Sequence, residues 1–149
     1  MGMYTELVLG IKIKPDPDVL TVLNYMLGET DHLDERPSHE LFKTNCWDIM
    51  LVCDSYYFDG QTDSKLFKDD LYPESPMYYL NVRSNLKNYN SEIEKFLDWL
   101  KPYIETDGFL GYTRYEEDDH PTLIYKDNRY NTIDYLGVDE LIKQRFDWI

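Results

Sequence analysis

The residue types best suited to metal chemistry are three histidines and one run of acids. His32 and His39 lie seven positions apart in an acidic stretch, and His120 directly follows Glu116–Asp119. Zinc sites usually bring His and Cys ligands together at closer spacing, and the acidic run lacks the central glycine and terminal glutamate of an EF-hand loop. We therefore predict no metal and no cofactor. The run is interpreted as a solvated loop whose carboxylates are candidate partner-binding groups: Glu116, Glu117, Asp118 and Asp119.

Nucleophilic chemistry would depend on Cys46 and Cys53. Seven positions separate them, so within one strand they would face opposite sides of a sheet and would not pair with each other. An apolar strand is not the helix N-terminus that stabilises a thiolate, and the chain has neither a G-x-S-x-G motif nor a glycine-rich phosphate loop. The sequence thus predicts buried free thiols in a reducing cytoplasm and favours a protein that is not an enzyme.

A third candidate group comes from two stretches in which apolar and polar residues alternate. Tyr4–Lys14 and Met77–Leu86 both have the period of two that is typical of half-buried strands. Their apolar side chains would face a core, and their polar side chains would form the opposite, open face of a sheet. That face would show Glu6, Lys12, Lys14, Tyr79, Asn81 and Arg83. Lys12, Lys14, Tyr79 and Arg83 suit an anionic ligand, and Tyr79, Asn81 and Arg83 are also candidates for contact with a partner.

Each of these strands is followed by a predicted helix. Asp16 is placed to cap the first helix, with Pro17 at its first position and Gly28 at its end. In the second, Ser91 and Glu94 have the spacing of a capping box. The apolar stripe of that helix is Ile93, Phe96, Leu97, Leu100 and Ile104, and Pro102 should end or kink it.

Other segments complete the predicted order of elements. Trp47–Phe58 is apolar on both faces and predicts a central strand. Residues 29–40 and 59–76 are predicted to be exposed acidic loops, and residues 138–149 a C-terminal helix. Further strands are expected at Phe109–Glu116, at Thr122–Lys126 and at Arg129–Ile133, with Asp127 and Asn128 in a hairpin turn.

These elements predict one α+β domain over residues 1–149. Two strand–helix units in succession favour a ferredoxin-like split βαβ sheet with two helices on one face. A C-terminal β-hairpin and a short helix would extend it.

Composition narrows the classes of partner. The chain has a formal charge of −14, which disfavours direct nucleic-acid binding and favours basic partners. No apolar run is long enough to cross a membrane, so a membrane partner is not expected. Fourteen tyrosines either pack the sheet and its rim or supply a protein interface.

Four stretches carry a resemblance to a known group of proteins. They are YTELVLGIKIKPD, DSYYFDG, LNVRSNLKNYNSEIEKFLDWL and DGFLGYTRYEEDD. The chain resembles a family of small uncharacterised proteins encoded by phages and prophages of Gram-positive bacteria. The resemblance implies no catalytic residues and an accessory role in infection, such as counter-defence or interference with replication.

The leading hypothesis is a non-enzymatic acidic protein that occupies the basic, nucleic-acid-binding surface of a host defence or replication protein. One alternative is a small-molecule or nucleotide binder, or an enzyme, that uses the open face of the sheet. Another is a structural module that self-associates into a homo-oligomer through an exposed strand or the C-terminal helix.

Overall fold

Among the residues that the structure describes, the protein has an α+β fold built on a six-stranded antiparallel sheet and two α-helices. The structure, a computed structural model, describes residues 3–55, 58 and 60–138. Two short 3₁₀ helices, Glu40–Lys43 and Lys101–Tyr103, accompany the larger elements. In chain order those elements are β1 (Thr5–Ile13), α1 (Pro17–Met26), β2 (Lys65–Asp69), β3 (Met77–Leu86), α2 (Glu92–Leu100), β4 (Gly108–Tyr115), β5 (Thr122–Asp127) and β6 (Thr132–Gly137).

The strands lie in the order β2-β3-β1-β4-β5-β6, so β1 is central and neighbours β3 and β4. Leu9 on β1 is paired with Val82 on β3 and with Gly111 on β4. Because side chains alternate along each strand, this register places one set of apolar residues on a single face of the sheet. We call it the covered face.

The covered face and the helices share one hydrophobic core. Every second residue of β1 is buried there: Leu7, Leu9, Ile11 and Ile13. They join the same buried cluster as residues of α1 and α2, among them Val22, Leu23, Ile93, Phe96 and Leu97. The alternation predicted for the first and third strands is therefore confirmed, and it orients the remaining side chains of β1 and β3 away from the helices.

The two helices begin in different ways. The predicted Asp16 cap is confirmed, since its carboxylate accepts hydrogen bonds from the backbone N–H groups of Asp18 and Val19 at 3.0 and 3.1 Å. The predicted capping box at Ser91 is wrong, because Ser91 has φ of 56° and its side chain makes no capping hydrogen bond. Asn88 serves in its place, with Oδ1 accepting from the Ile93 N–H at 2.9 Å.

The predicted strand at Trp47–Phe58 is also wrong over residues 47–55 and 58; residues 56 and 57 lie outside the described residues. Its first part, through Val52, forms consecutive hydrogen-bonded turns, with N–H groups of Ile49 and Val52 donating to carbonyls three residues earlier. Trp47, Met50 and Leu51 are buried by these turns instead of by a sheet. An apolar run without a clear period does not by itself distinguish a strand from another buried conformation.

This correction changes the environment of the cysteines. Both are free thiols, as predicted, but Cys46 is exposed and Cys53 is half-buried. Burial raises the pKa of the Cys53 thiol. The expectation that both thiols are buried in one strand is therefore wrong.

Two other boundaries differ from expectation. Strand β2, Lys65–Asp69, lies inside the range predicted to be an exposed loop, because its backbone pairs with β3 even though its side chains are largely exposed. The strand that returns after β5 is Thr132–Gly137, later than predicted, and Asn131 adopts φ of 50° in the turn before it. Of the predicted helix over residues 138–149, all but Val138 lies outside the described residues.

Candidate functional site on the open face

The face of the sheet opposite the helices, which we call the open face, has a polar cluster at its centre. Glu6 on β1 is paired with Asn85 on β3 and with Arg114 on β4. Two residues farther along β1, Val8 is paired with Arg83 and Tyr112. We call Glu6, Arg83, Asn85, Tyr112 and Arg114 the central cluster.

A bulge in β4 sets which residues reach this cluster. The pairing of β4 with β5 shifts between Phe109 and Gly111. Gly111 has φ of 152°, and a Cβ there would lie 1.9 Å from the Val8 carbonyl oxygen, so this close approach to β1 requires glycine. Leu110 consequently enters the core, while Tyr112 and Arg114 take positions on the open face.

Glu6 is the buried member of the cluster, with its side chain only 4% exposed. Its Oε2 lies 3.6 Å from Nη2 of Arg83, and its Oε1 lies 3.8 Å from Nε of Arg114. The two arginine side chains remain 44% and 39% exposed. One buried carboxylate therefore lies between two guanidinium groups that also reach solvent.

Two residues that precede β2, Phe58 and Gly60, contact the two guanidiniums on the open face. The Arg114 guanidinium carbon lies 4.9 Å from the ring centroid of Phe58, in a cation–π contact. A Cβ on Gly60 would lie 2.1 Å from Nε of Arg83, so the glycine backbone packs directly on that guanidinium. A backbone hydrogen bond holds this segment against β3, because the N–H of Asp63 donates to the Arg83 carbonyl at 3.0 Å.

Tyr112 and Asn85 complete the cluster. Burial raises the pKa of the Tyr112 hydroxyl, and the negative charge of Glu6 adds to the effect. The Asn85 side-chain nitrogen donates to Asp54 Oδ1 at 3.4 Å. Its Oδ1 is buried and accepts no hydrogen bond, which leaves an unsatisfied acceptor beside Glu6.

The residues predicted for an anion grip do not converge. Lys12 is paired with Tyr79 and Asn81 with Gly10, but Arg83 is paired with Val8, four residues from Lys12 along β1. That separation is about 13 Å at 3.3 Å per residue. The Lys12 ammonium instead pairs with Glu105 at 3.3 Å, and Lys14 lies beyond the end of β1.

A shallow cleft lies at the Lys12 end of the sheet. Its volume is about 260 Å³, and its lining includes Lys12, Tyr72, Met77 and Glu105. The Tyr79 hydroxyl donates to the Met77 sulfur at 3.7 Å, which orients that ring along its own strand. The cleft therefore brings one predicted site residue, Lys12, together with residues that the sequence did not indicate.

The predicted acidic loop lies at the other end of the sheet. Tyr115 is paired with Thr5, seven residues from Lys12, or about 23 Å along the strand. The Glu116 carboxylate accepts a hydrogen bond from the Tyr4 N–H at 2.9 Å, and this ties β4 to the start of β1. Glu117, Asp118 and Asp119 are exposed. The turn between β2 and β3, residues 70–76, lies at the Lys12 end, so these two acidic segments do not meet.

Sequence reasoning missed Tyr112 and Arg114 as site residues. Both fall in a strand that was predicted, and their spacing of two places them on one face. What was missing is the pairing of β4 with β1, which brings Arg114 next to Glu6. Across residues 3–138, apart from 56, 57 and 59, no group of three His, Cys, Asp or Glu side chains is arranged to hold a metal ion.

No protein-family model, curated protein or solved structure matches this chain. Within the part of the chain that the structure describes, there is also no helix with the length and apolar character needed to span a membrane.

Proposed function

We propose that this is a non-enzymatic binding protein, encoded by a phage, whose acidic surface occupies the basic, nucleic-acid-binding surface of a host defence or replication protein. Its site of action would be the host cytoplasm. The observation that carries the proposal is the distribution of its acids. Among the described residues only Glu6 and Glu92 are buried acids, so nearly all of the described acids that contribute to the charge of −14 are at least partly exposed.

A surface with this much negative charge attracts a basic partner before the two proteins touch. Complementary potentials raise the rate of encounter with a basic partner, and the effect weakens as salt rises. Residues 29–39 form neither a helix nor a strand and contain four exposed acids: Glu29, Asp31, Asp34 and Glu35. Arg36 is the single Lys or Arg in that segment, so its four acids and one base give it a net charge of −3.

Exposed aromatic rings add contact area to this charge. Tyr72, Tyr89 and Tyr130 are each more than 60% exposed. Tyrosine is enriched at protein interfaces because its ring supplies apolar area and its hydroxyl stays hydrated. These rings give a docked partner apolar area that carboxylates alone do not offer.

We also propose a ferredoxin-like arrangement for the scaffold. Two features support it: the βαββαβ order of the elements from β1 to β4, and the strand order β2-β3-β1-β4 within the sheet. In this proposal β5 and β6 form a C-terminal hairpin that widens the sheet at the β4 edge.

The proposal is tested by affinity capture from a lysate of a Gram-positive host at low and at high salt, followed by nucleic-acid competition. We expect a basic, nucleic-acid-binding protein to be enriched at low salt and lost at high salt. Adding the pure protein should then displace nucleic acid from that partner. An interaction that is insensitive to salt, or a partner that binds nucleic acid and this protein together, would contradict the proposal.

A pair of charge variants locates the contact. The variant E29Q/D31N/D34N/E35Q removes the charge between α1 and the first 3₁₀ helix, and E117Q/D118N/D119N removes it between β4 and β5. We expect the first variant to slow association with the captured partner more than the second. Stopped-flow association rates over a series of salt concentrations measure this directly.

A further inference from the structure

We propose that Arg83 and Arg114 form a binding site for a small oxyanion, a phosphate or a carboxylate group, at the centre of the open face. This site is separate from the acidic surface of the proposed function. It uses cationic groups in a protein of net charge −14, and its ligand is a small molecule or a chemical group.

Arg83 and Arg114 together present many hydrogen-bond donors. A guanidinium offers five N–H donors in a planar fork that matches the oxygens of carboxylate and phosphate groups. Glu6 lies at 3.6 and 3.8 Å from the two guanidiniums, beyond ordinary hydrogen-bond distance. In the described part of the chain no residue accepts a hydrogen bond from either guanidinium, and the two side chains are 44% and 39% exposed, so an oxyanion can approach them from solvent.

Both arginines are already positioned before a ligand binds. They project from the neighbours of the central strand and share Glu6 as a common counter-ion. The Phe58 ring and the Gly60 backbone lie against their guanidiniums. A site held by rigid strands and packed side chains loses less conformational entropy when a ligand binds.

The charges of the central cluster also favour an anion. Within the central cluster, Arg83 and Arg114 carry two positive charges and Glu6 carries one negative charge. Asp54 and Glu116 keep their negative charges, and one oxygen of each accepts a backbone hydrogen bond, from the Ser55 N–H at 2.8 Å and from the Tyr4 N–H at 2.9 Å.

Calorimetric titration of the full-length protein with inorganic phosphate and, separately, with acetate tests this site. The buffer should be free of chloride, so that no other anion competes. We expect saturable binding of at least one of the two ions, and the stronger ion identifies the ligand group. Arg83→Gln and Arg114→Gln should each weaken the affinity by about tenfold to a hundredfold, the usual range for losing hydrogen bonds to a charged group.

The matched control is Arg129→Gln, which removes an exposed arginine in the turn between β5 and β6 and should leave the affinity unchanged. Glu6→Gln separates a binding role from a structural one. Removing the carboxylate should tighten anion binding, because the guanidiniums lose their internal competitor. Where Glu6→Gln reduces the folded fraction, Arg83→Lys replaces it: this variant keeps the charge, loses the planar fork and should still weaken binding.

Three results would overturn the site. One is the absence of saturation by both ions in the wild-type protein. Another is an equal loss of affinity in Arg129→Gln and Arg83→Gln, which would indicate only a general effect of charge. The third is weaker binding in a folded Glu6→Gln variant. None of these measurements depends on a host protein, so their failure would leave the proposed function standing.

Discussion

The two faces of the sheet use the same strands for different purposes. On the covered face, β1 and β3 bury aliphatic side chains such as Leu9, Leu80 and Val82 against the helices. On the open face, the residues between them include Glu6, Lys12, Asn81 and Arg83. Of these four open-face residues only Glu6 is buried, and its carboxylate lies beside the guanidinium groups of Arg83 and Arg114.

Because of this difference, we expect the covered face to determine mainly the stability of the fold and the open face mainly the binding of a ligand. Apolar burial stabilises a fold without specifying a ligand, since its free energy follows the area removed from water. Half-exposed guanidiniums contribute less to stability but keep donors that a ligand can use. Substitutions on the covered face should therefore lower the free energy of unfolding, and those on the open face should mainly alter binding.

The largest expected effect compares one residue from each face. Leu80→Ala removes a fully buried side chain of β3 and should lower the free energy of unfolding by about 2–5 kcal/mol. Phe67→Ala on the neighbouring strand removes a larger side chain that is half exposed, and it should cost about 0.5 kcal/mol. Urea unfolding of both variants measures the difference. Equal losses would mean that the open face is also part of the core.

Glu6→Gln should have the next largest effect. The change leaves two arginines beside a neutral amide, and we expect a loss of about 1–2 kcal/mol because both guanidiniums can still be hydrated. Glu94→Gln on the exposed side of α2 is the control, with an expected change within about 0.5 kcal/mol. Denaturant midpoints at neutral pH give both values. A neutral effect at Glu6 would show that the cluster contributes nothing to stability.

The start of α2 gives a smaller contrast within the covering layer. Asn88→Ala removes the acceptor for the Ile93 N–H and should cost about 1 kcal/mol, as the loss of a helix cap usually does. Ser91→Ala removes no capping hydrogen bond and should change stability little. Thermal unfolding of the two variants compares them. The reverse order would restore the capping box that the sequence predicted.

The smallest expected effect is a pH dependence of stability that comes from Asp98 on α2. A hydrogen bond from His39 lowers the pKa of the Asp98 carboxyl. When folding lowers the pKa of a carboxyl, the ionised group stabilises the folded state at pH values above its unfolded-state pKa, about 3.9. This stability is lost as the pH falls through the folded-state pKa. Asp98→Asn should therefore be less stable than wild type near pH 5, and the difference should vanish at lower pH. Unfolding curves across this range test it, with Asp31→Asn as the exposed control.

The sequence predicted those parts of the fold that depend on local pattern. The alternation of β1 and β3 follows from a period of two, and the start of α1 follows from Asp16 and Pro17. At Trp47–Val52 the apolar residues are buried by turns, which have no hydrophobic period to detect. The capping error has a similar origin, because an asparagine three residues before Ser91 competes for the same backbone donors.

The candidate site was less predictable because it depends on pairing between distant strands. Arg83 and Glu6 were both assigned to the open face from their own strands. Arg114 reaches Glu6 only because β4 pairs with β1 and because the bulge at Gly111 determines which residues of β4 lie on the open face. Long-range register of this kind is determined by the packing of the whole sheet, and no local spacing encodes it.

The contact between Gly60 and Arg83 also allows the position of this segment to be followed by hydrogen–deuterium exchange at a backbone amide. Since the Asp63 amide donates to the Arg83 carbonyl, its rate of hydrogen–deuterium exchange depends on how often this stretch of chain lifts from β3. An anion that fixes the Arg83 guanidinium should slow that exchange, and a methyl group at position 60 should speed it up. Occupancy of the open face could thus be followed at a single amide without any label.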